Sequence, residues 1–254
     1  MEISDVGESL QIHKREIYIH REKDKIYKAG IALIKGDSSL LSLQHNFLST
    51  HEQEQYEELQ FQRRKNSFLQ GRISAKVAID ELIGTSNSKN ITIEKGVFGF
   101  PVVKGVVDNI QLSISHTAGF GVCIANFEEH PMGIDVEKID VSRSELLQTY
   151  INSEESLLLI ASKINVDTGF FLWTIKEALS KILKTGLTLD FKILQIKSTR
   201  QIQENIWEST FTNFSQYKAI SIFSHYYALS MVLPLNSTLS FSDLQFILKI
   251  VQTR

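Results

Sequence analysis

The stretch Phe171–Leu172–Trp173–Thr174–Ile175–Lys176–Glu177–Ala178–Leu179–Ser180–Lys181 carries two chemically different faces. At 100° per residue, Phe171, Ile175, Ala178, Leu179 and Ile182 form one apolar stripe, the kind a helix buries against a core. Trp173, Glu177, Lys181 and Lys184 fall together on the other side. Taken alone, that side reads as a solvated face with a Glu177–Lys181 pair worth about 0.3–0.5 kcal/mol. A large aromatic, a carboxylate and two ammonium groups on one stripe also describe a surface that holds an anionic ligand through a metal. The rest of the chain decides between the two.

Working outward, a weak strand is expected at Glu16–His20 and a short apolar one at Ala29–Ile34, ended by Gly36–Asp37. Thr50 with Gln53 three residues on fits a capping box opening a polar helix to about Phe61. Ser67 and Gln70 repeat that signature before Ile73, Val77 and Ile83, with Gly84 closing the helix. After a loop at Thr85–Asn90 come strands at Ile91–Glu94, Gln111–Ser115, Gly121–Asn126 and Ile134–Val136. Helices follow at Ser153–Ile164 and Thr168–Leu183, the latter stopped by Gly186. Strands at Phe191–Lys197, Glu208–Phe214, Lys218–Phe223 and Tyr226–Val232 complete the pattern. The order of strand, helices and strands occurs twice, so the expected fold class is α+β in two similar halves, residues 1–126 and 127–254, joined near Asn126–Pro131. The repeat is legible only element by element, with no residue-by-residue match.

The chain of 254 residues, 43% hydrophobic and 22% charged, is long enough to bury a substantial core. A formal net charge of −2 argues against wholesale nucleic-acid binding. The single cysteine, Cys123, sits in an apolar run and reads as a small buried hydrophobe, so no disulfide framework exists. No stretch has the length of a membrane span, and Met1–Asp5 lacks a basic-then-apolar leader, so a cytoplasmic location is expected.

Three further groups could carry chemistry. In Gly133–Ile134–Asp135–Val136–Glu137, strand alternation puts Asp135 and Glu137 on one face, about 7 Å apart. Two such carboxylates suit a hard cation such as Mg²⁺, which takes one or two carboxylates and fills the rest with water and phosphate oxygens; an amphipathic strand with a wet face has the same pattern. Next, Gln111–Leu112–Ser113–Ile114–Ser115–His116 runs an alternating strand into a turn, placing Ser115 and His116 at the end of a rigid support. Adjacent strand residues point to opposite faces, so Ser115–His116 is not a nucleophile–base pair and a serine-hydrolase reading fails. Finally, Arg63–Arg64–Lys65 precedes Arg72 and Lys76, four apart on one helix face. Clustered guanidinium groups suit phosphate, although a charge run is also an ordinary solvated face.

Taken together, Ile114–Ser115–His116, Gly133–Ile134–Asp135–Val136–Glu137 and Trp173–Thr174–Ile175–Lys176–Glu177–Ala178–Leu179–Ser180–Lys181 resemble, in order and separation, the motifs of the Sfp-type 4′-phosphopantetheinyl transferases. Arg63–Arg64 and Phe68–Leu69–Gln70–Gly71–Arg72 look like an upstream element of one branch of that family. The resemblance covers about half the chain, from Arg63 to Lys181. It implies two pseudo-symmetric α+β halves with the active site between them. It also implies transfer of phosphopantetheine from coenzyme A to a serine of an apo acyl or peptidyl carrier protein, with adenosine 3′,5′-bisphosphate leaving. The partner brings the nucleophile, so the enzyme has to neutralise phosphate charge, position the donor and help remove the serine proton.

Carried over by the resemblance, Asp135, Glu137 and Glu177 would hold Mg²⁺. Glu177 would also be the general base, directly or through water. Lys181 would contact the pyrophosphate and steady developing charge. Ser115 and His116 would bind coenzyme A phosphates, with Arg64 and Arg72 as further phosphate contacts. Trp173 would pack between the halves, and Lys176 would pair with a site carboxylate. Internal pseudo-symmetry implies a monomer. One departure stands out: where the family often has Gly-Lys-Pro, this chain has Gly99–Phe100–Pro101, so either Lys104 substitutes or the donor is held differently.

Two other readings compete. A non-catalytic carrier-protein-binding module of the same fold would have no need for Asp135, Glu137, Glu177 and Lys181 together. A metal-dependent phosphohydrolase would consume coenzyme A without a carrier protein, which the transferase would not.

Overall fold

The computed structural model describes residues 10–21, 24–36, 47–85, 88–106, 109–162, 164 and 166–253. Asp37, Ser86, Asn87 and Lys163, which belong to an expected strand end, loop and helix, lie outside the described residues, as do Met1–Asp5. Among the described residues the chain forms two antiparallel sheets and six α-helices, an α+β fold.

The first sheet contains β1 (Gln11–Arg21), β2 (Lys25–Lys35), β3 (Thr92–Lys95), β4 (Pro101–Lys104), β5 (Ile110–Thr117) and β6 (Phe120–Phe127). The second contains β7 (Gly133–Lys138), β8 (Ile196–Gln203), β9 (Ile206–Phe211), β10 (Tyr217–Phe223) and β11 (Tyr227–Pro234). A short late strand, β12 (Ser237–Leu239), returns to the first sheet, whose order is β12-β1-β2-β6-β5-β4-β3; the second runs β7-β11-β10-β9-β8. The helices are α1 (Thr50–Glu58), α2 (Gln62–Ile83), α3 (Val141–Gln148), α4 (Ser153–Ala161), α5 (Thr168–Ile182) and α6 (Phe241–Val251).

The apolar run of β2 follows from burial on both faces. Ala32 and Ile34 join Leu69, Ile73 and Ala78 of α2 in one core cluster. Ile31 and Leu33, on the opposite face, join Met231, Leu233, Leu248 and Val251 in another. The second half buries α5 through Phe171, Ile175, Ala178 and Leu179 against Trp207 and Phe223, which is the apolar stripe expected of that helix.

Several boundaries differ from expectation. The box that caps α1 is Ser49 with Glu52, one residue before Thr50 with Gln53. Helix α2 starts at Gln62, with Phe61 as an N-cap lacking a side-chain bond, so Ser67 and Gln70 lie inside it; the basic run Arg63–Lys65 consists of good helix formers and simply extends the helix. Helix α5 ends at Ile182, and Lys184 takes the left-handed φ of 56° before Gly186 is reached. Phe191 and Leu194 are turn residues whose side chains drop into the core, delaying β8 to Ile196. Strand β4, helix α3, strand β12 and helix α6 have no counterpart in the sequence reading.

Beyond the element order, the halves correspond at a few packing and ion-pair positions that the sequence pattern does not show. Gly30 and Gly133 each admit a helix so closely that an added Cβ would lie 2.0 Å from Ala78 O and 2.1 Å from Ala178 O. From those glycines, Gly30–Ile31–Ala32–Leu33–Ile34–Lys35 runs parallel in pattern to Gly133–Ile134–Asp135–Val136–Glu137–Lys138. On the helices, Ser74 donates to Gln70 O and Thr174 to Phe170 O, each four residues back. Lys76 pairs with Glu52 and Lys176 with Glu155.

Candidate active site

The two sheets meet where β5 runs beside β7. Alternate side chains of β5 point at the second half: Ser113 Oγ accepts from Ile134 N–H at 2.8 Å, Ser115 Oγ donates to Asp135 Oδ1 at 2.7 Å, and Thr117 Oγ1 accepts from Lys138 N–H at 3.2 Å. A cavity of about 510 Å³ opens at this seam. Its walls hold every expected site residue: Arg64 and Arg72 from α2, Ser115 and His116 from β5, Asp135 and Glu137 from β7, Glu177 and Lys181 from α5. Residues spread over more than a hundred positions of sequence thus share one cleft.

Lys181 Nζ donates to Asp135 Oδ1 at 2.8 Å and to Ile134 O at 2.9 Å, locking α5 to β7. Asp135 Oδ1 is therefore shared between Lys181 and Ser115, whereas its Oδ2 is buried without a partner. Glu177 Oε1 is buried and partnerless as well. Burial, helped by the Asp135 charge, pushes the Glu177 carboxyl up to about 7; Lys181 opposes the rise and Glu137 adds to it. Glu137 is also raised by burial, against the pull of Arg143, whose Nη1 donates to Glu137 Oε2 at 3.0 Å. The His116 pKa is lowered, first by burial and then by the Lys181 charge, which favours the neutral ring.

Buried, orphaned carboxylate oxygens on Asp135 and Glu177 are hard anionic donors, the chemistry a Mg²⁺ ion takes. Among the described residues no three carboxylate, histidine or cysteine side chains are placed to hold a metal ion together. Magnesium does not require three, because water and phosphate oxygens complete its shell.

Four expectations are corrected. Lys176 pairs not with a site carboxylate but with Glu155 Oε2 at 2.8 Å, buried behind α5. Trp173 packs on Tyr150 and Phe191, inside the second half rather than between halves, with its edge on the cavity. Lys184, past the end of α5, leaves the polar stripe: its Nζ lies 5.0 Å above the Phe100 ring and donates to Gln111 Oε1 at 2.7 Å. Lys104 is exposed on β4 and does not line the cavity, so it is no substitute at Phe100. The β3–β4 hairpin instead contributes Glu94 and Lys95, which the sequence reading missed. Lys95 is opposite Pro101 in the ladder, a pairing that no local pattern announces. Arg143 and Glu52, partners of Glu137 and Arg72, were likewise missed.

The cleft brings Arg64, Arg72, Lys95 and Lys181 together with Glu94, Asp135, Glu137 and Glu177. Residues 131–230 match the family model of the 4′-phosphopantetheinyl transferase superfamily. The chain is 28% identical over 148 residues to the 4′-phosphopantetheinyl transferase gsp of Aneurinibacillus migulanus, covering 56% of this chain and 60% of that protein. It is 27% identical over 111 residues to the 4′-phosphopantetheinyl transferase Sfp of Bacillus subtilis, covering 43% and 48%. It therefore spans about half the length of the curated relatives it matches. A crystal structure of a holo-(acyl-carrier-protein) synthase from Bacillus anthracis in complex with CoA (3′,5′-ADP) aligns at a TM-score of 0.35 and 21% identity, covering 43% of this chain and 96% of that one. The chain is thus similar to 4′-phosphopantetheinyl transferases, in its family-model match and in its curated relatives.

Proposed function

We propose that this chain transfers the 4′-phosphopantetheine group of coenzyme A to a serine of an apo acyl or peptidyl carrier protein, in a Mg²⁺-dependent reaction that releases adenosine 3′,5′-bisphosphate. The observation that carries the reading is the meeting of Glu177, raised to about 7, with Asp135, Lys181 and the cationic wall of α2 in one cavity. On this reading the halves, residues 1–126 and 127–254, each supply one wall, and a single copy forms the whole site, so the working unit is a monomer. No described helix is long and apolar enough to cross a membrane, and we place the reaction in the cytoplasm, where coenzyme A is available.

Asp135, Glu137 and Glu177 would hold Mg²⁺, which when bound neutralises pyrophosphate charge. Arg64, Arg72, Ser115 and His116 orient the phosphates of the donor. Lys181 sits against Asp135 and meets the charge that grows on the departing phosphate. The carrier serine Oγ attacks the β-phosphorus, its proton passes to the Glu177 carboxylate, and the bond from that phosphorus to the bridging oxygen breaks with adenosine 3′,5′-bisphosphate taking the electron pair.

The test is intact mass spectrometry of a panel of apo carrier proteins incubated with the chain, coenzyme A and Mg²⁺. Gain of one phosphopantetheine, abolished by chelator, is the expected result. Proven coenzyme A binding with no gain on any carrier overturns the transferase reading in favour of the non-catalytic module. Coenzyme A consumption without carrier overturns it in favour of a phosphohydrolase.

A further inference from the structure

The buried Glu52 does more than cap α1. Its side chain has no exposure. Oε1 accepts from Ile93 N–H at 3.0 Å and lies 3.2 Å from Arg72 Nε. Oε2 accepts from Ser49 N–H at 2.9 Å and lies 2.5 Å from Lys76 Nζ.

The second half contains the same unit. Glu155, also without exposure, caps α4; its Oε1 accepts from Ile196 N–H at 3.0 Å, and its Oε2 from Asn152 N–H at 3.2 Å and from Lys176 Nζ at 2.8 Å. In both units a carboxylate at the third position of a short helix ties together its own cap, a lysine of the long helix and a strand N–H. The second half also has Lys176 Nζ donating to Tyr150 O at 3.2 Å, and among the described residues it has no arginine beside the carboxylate. At the position matching Arg72, one turn before Lys176, it has Leu172, buried in the core.

The first half therefore carries an extra cation. Glu52 faces two cations, Lys76 and Arg72; Asp80 also acts on Lys76, so Arg72 is the cation of the pair left to face the cavity. The Arg72 side chain is only 10% exposed, its guanidinium lies 4.6 Å from the Phe68 ring centroid, and it borders the cavity. Its Nε has no well-formed hydrogen bond despite the nearby carboxylate. The matching position of the second half holds no cation, and the Arg72 charge borders the cavity, where an anion could meet it.

We propose that Glu52 is a positioning residue: it fixes Arg72 from behind, with Phe68 against the guanidinium, so that Arg72 presents its charge to a phosphate of the donor. The proposal rests on the transferase reading only for the identity of that donor. Glu52 itself touches no ligand.

The test is a double-mutant cycle read on binding of adenosine 3′,5′-bisphosphate and on coenzyme A KM and kcat, with thermal unfolding alongside. Glu52→Gln and Glu155→Gln are expected to lower Tm alike. Glu52→Gln alone should weaken bisphosphate binding and raise KM, roughly tenfold for a lost charge-assisted contact, with kcat within about twofold. In an Arg72→Met background Glu52→Gln should weaken binding no further. Arg72→Lys, which keeps the charge and loses Nε, should bind nearly as weakly as Arg72→Met, and that arm stands even if Glu52→Gln does not fold. Additive losses in the cycle, an equal KM rise in Glu155→Gln, or wild-type binding by Arg72→Lys would each overturn the proposal. A wild-type chain that binds the bisphosphate yet modifies no carrier overturns the transferase reading alone, and one that binds neither nucleotide overturns both.

Discussion

At the scale of single residues, Glu177 combines burial, an orphaned oxygen and two carboxylate neighbours. Its folded pKa of about 7 lies above the ordinary 4.5, so the metal-free folded chain holds the proton more tightly than the unfolded one. The stability from this group is complete below pH 4.5 and is lost as pH rises through about 7. Glu177→Gln should abolish transfer by a factor of roughly a hundred or more while flattening that loss, as thermal unfolding across pH with chelator present would show; near-normal turnover would remove Glu177 from the proton-accepting role. Mg²⁺ should raise the wild-type Tm at neutral pH and raise that of Asp135→Ala less, because binding to the folded state alone stabilises it. An equal rise in both proteins would place the ion elsewhere.

At the scale of elements, the site depends on how closely α5 approaches β7. Gly133 permits that approach, since a Cβ there would stand 2.1 Å from Ala178 O and backbone cannot yield as a side-chain tip can. Gly133→Ala should destabilise by about 3 kcal/mol, at the upper end of overpacking, and should separate Lys181 from Asp135, with activity falling further than Tm alone explains. Gly30→Ala, whose Cβ would meet Ala78 O, should cost similar stability but leave the Lys181–Asp135 contact in place. Denaturant unfolding and turnover of the two variants side by side distinguish packing from chemistry. The matching half makes that comparison possible: where β7 has Asp135 and Glu137, β2 has Ala32 and Ile34, and where α5 has Glu177, α2 has Val77. The duplicated framework thus carries carboxylates in one copy and core residues in the other.

At the scale of the molecule, the two halves are interlocked by the chain's end. Strand β12 pairs with β1, and Leu244, Ile247, Leu248 and Val251 of α6 fill the cluster shared by both sheets. Lys35 Nζ donates to Ile250 O at 2.7 Å from the far end of β2. His130, between β6 and β7, is buried with Nε2 2.8 Å from Ser237 Oγ of β12 and its ring beside Tyr27 of β2. Burial lowers its pKa to about 4 from the ordinary 6.5, so the folded state resists protonation that the unfolded chain accepts. Stability from this group is complete above pH 6.5 and is lost as pH falls through about 4. His130→Asn should reduce the acid-induced loss between those values, measured by denaturant midpoints; an unchanged slope would assign that loss to other groups.

The sequence alone determined what local periodicity and residue chemistry encode. The amphipathic stripe of α5 set its buried face, the alternation of Asp135 with Val136 and Glu137 set the carboxylate face, and the Ser115–His116 strand end stood ready beside them. Those readings rest on periods of 3.6 and 2 residues, which the backbone imposes locally. Tertiary structure alone decided the partners. That Glu52 rather than Gln53 turns inward depends on Lys76 and Arg72; that Lys176 faces Glu155 and not the site depends on α4; that Lys95 rather than Lys104 reaches the cavity depends on the β3–β4 register. The pKa of Glu177 belongs to the same class, because desolvation and neighbouring charge are set by elements far apart in the chain.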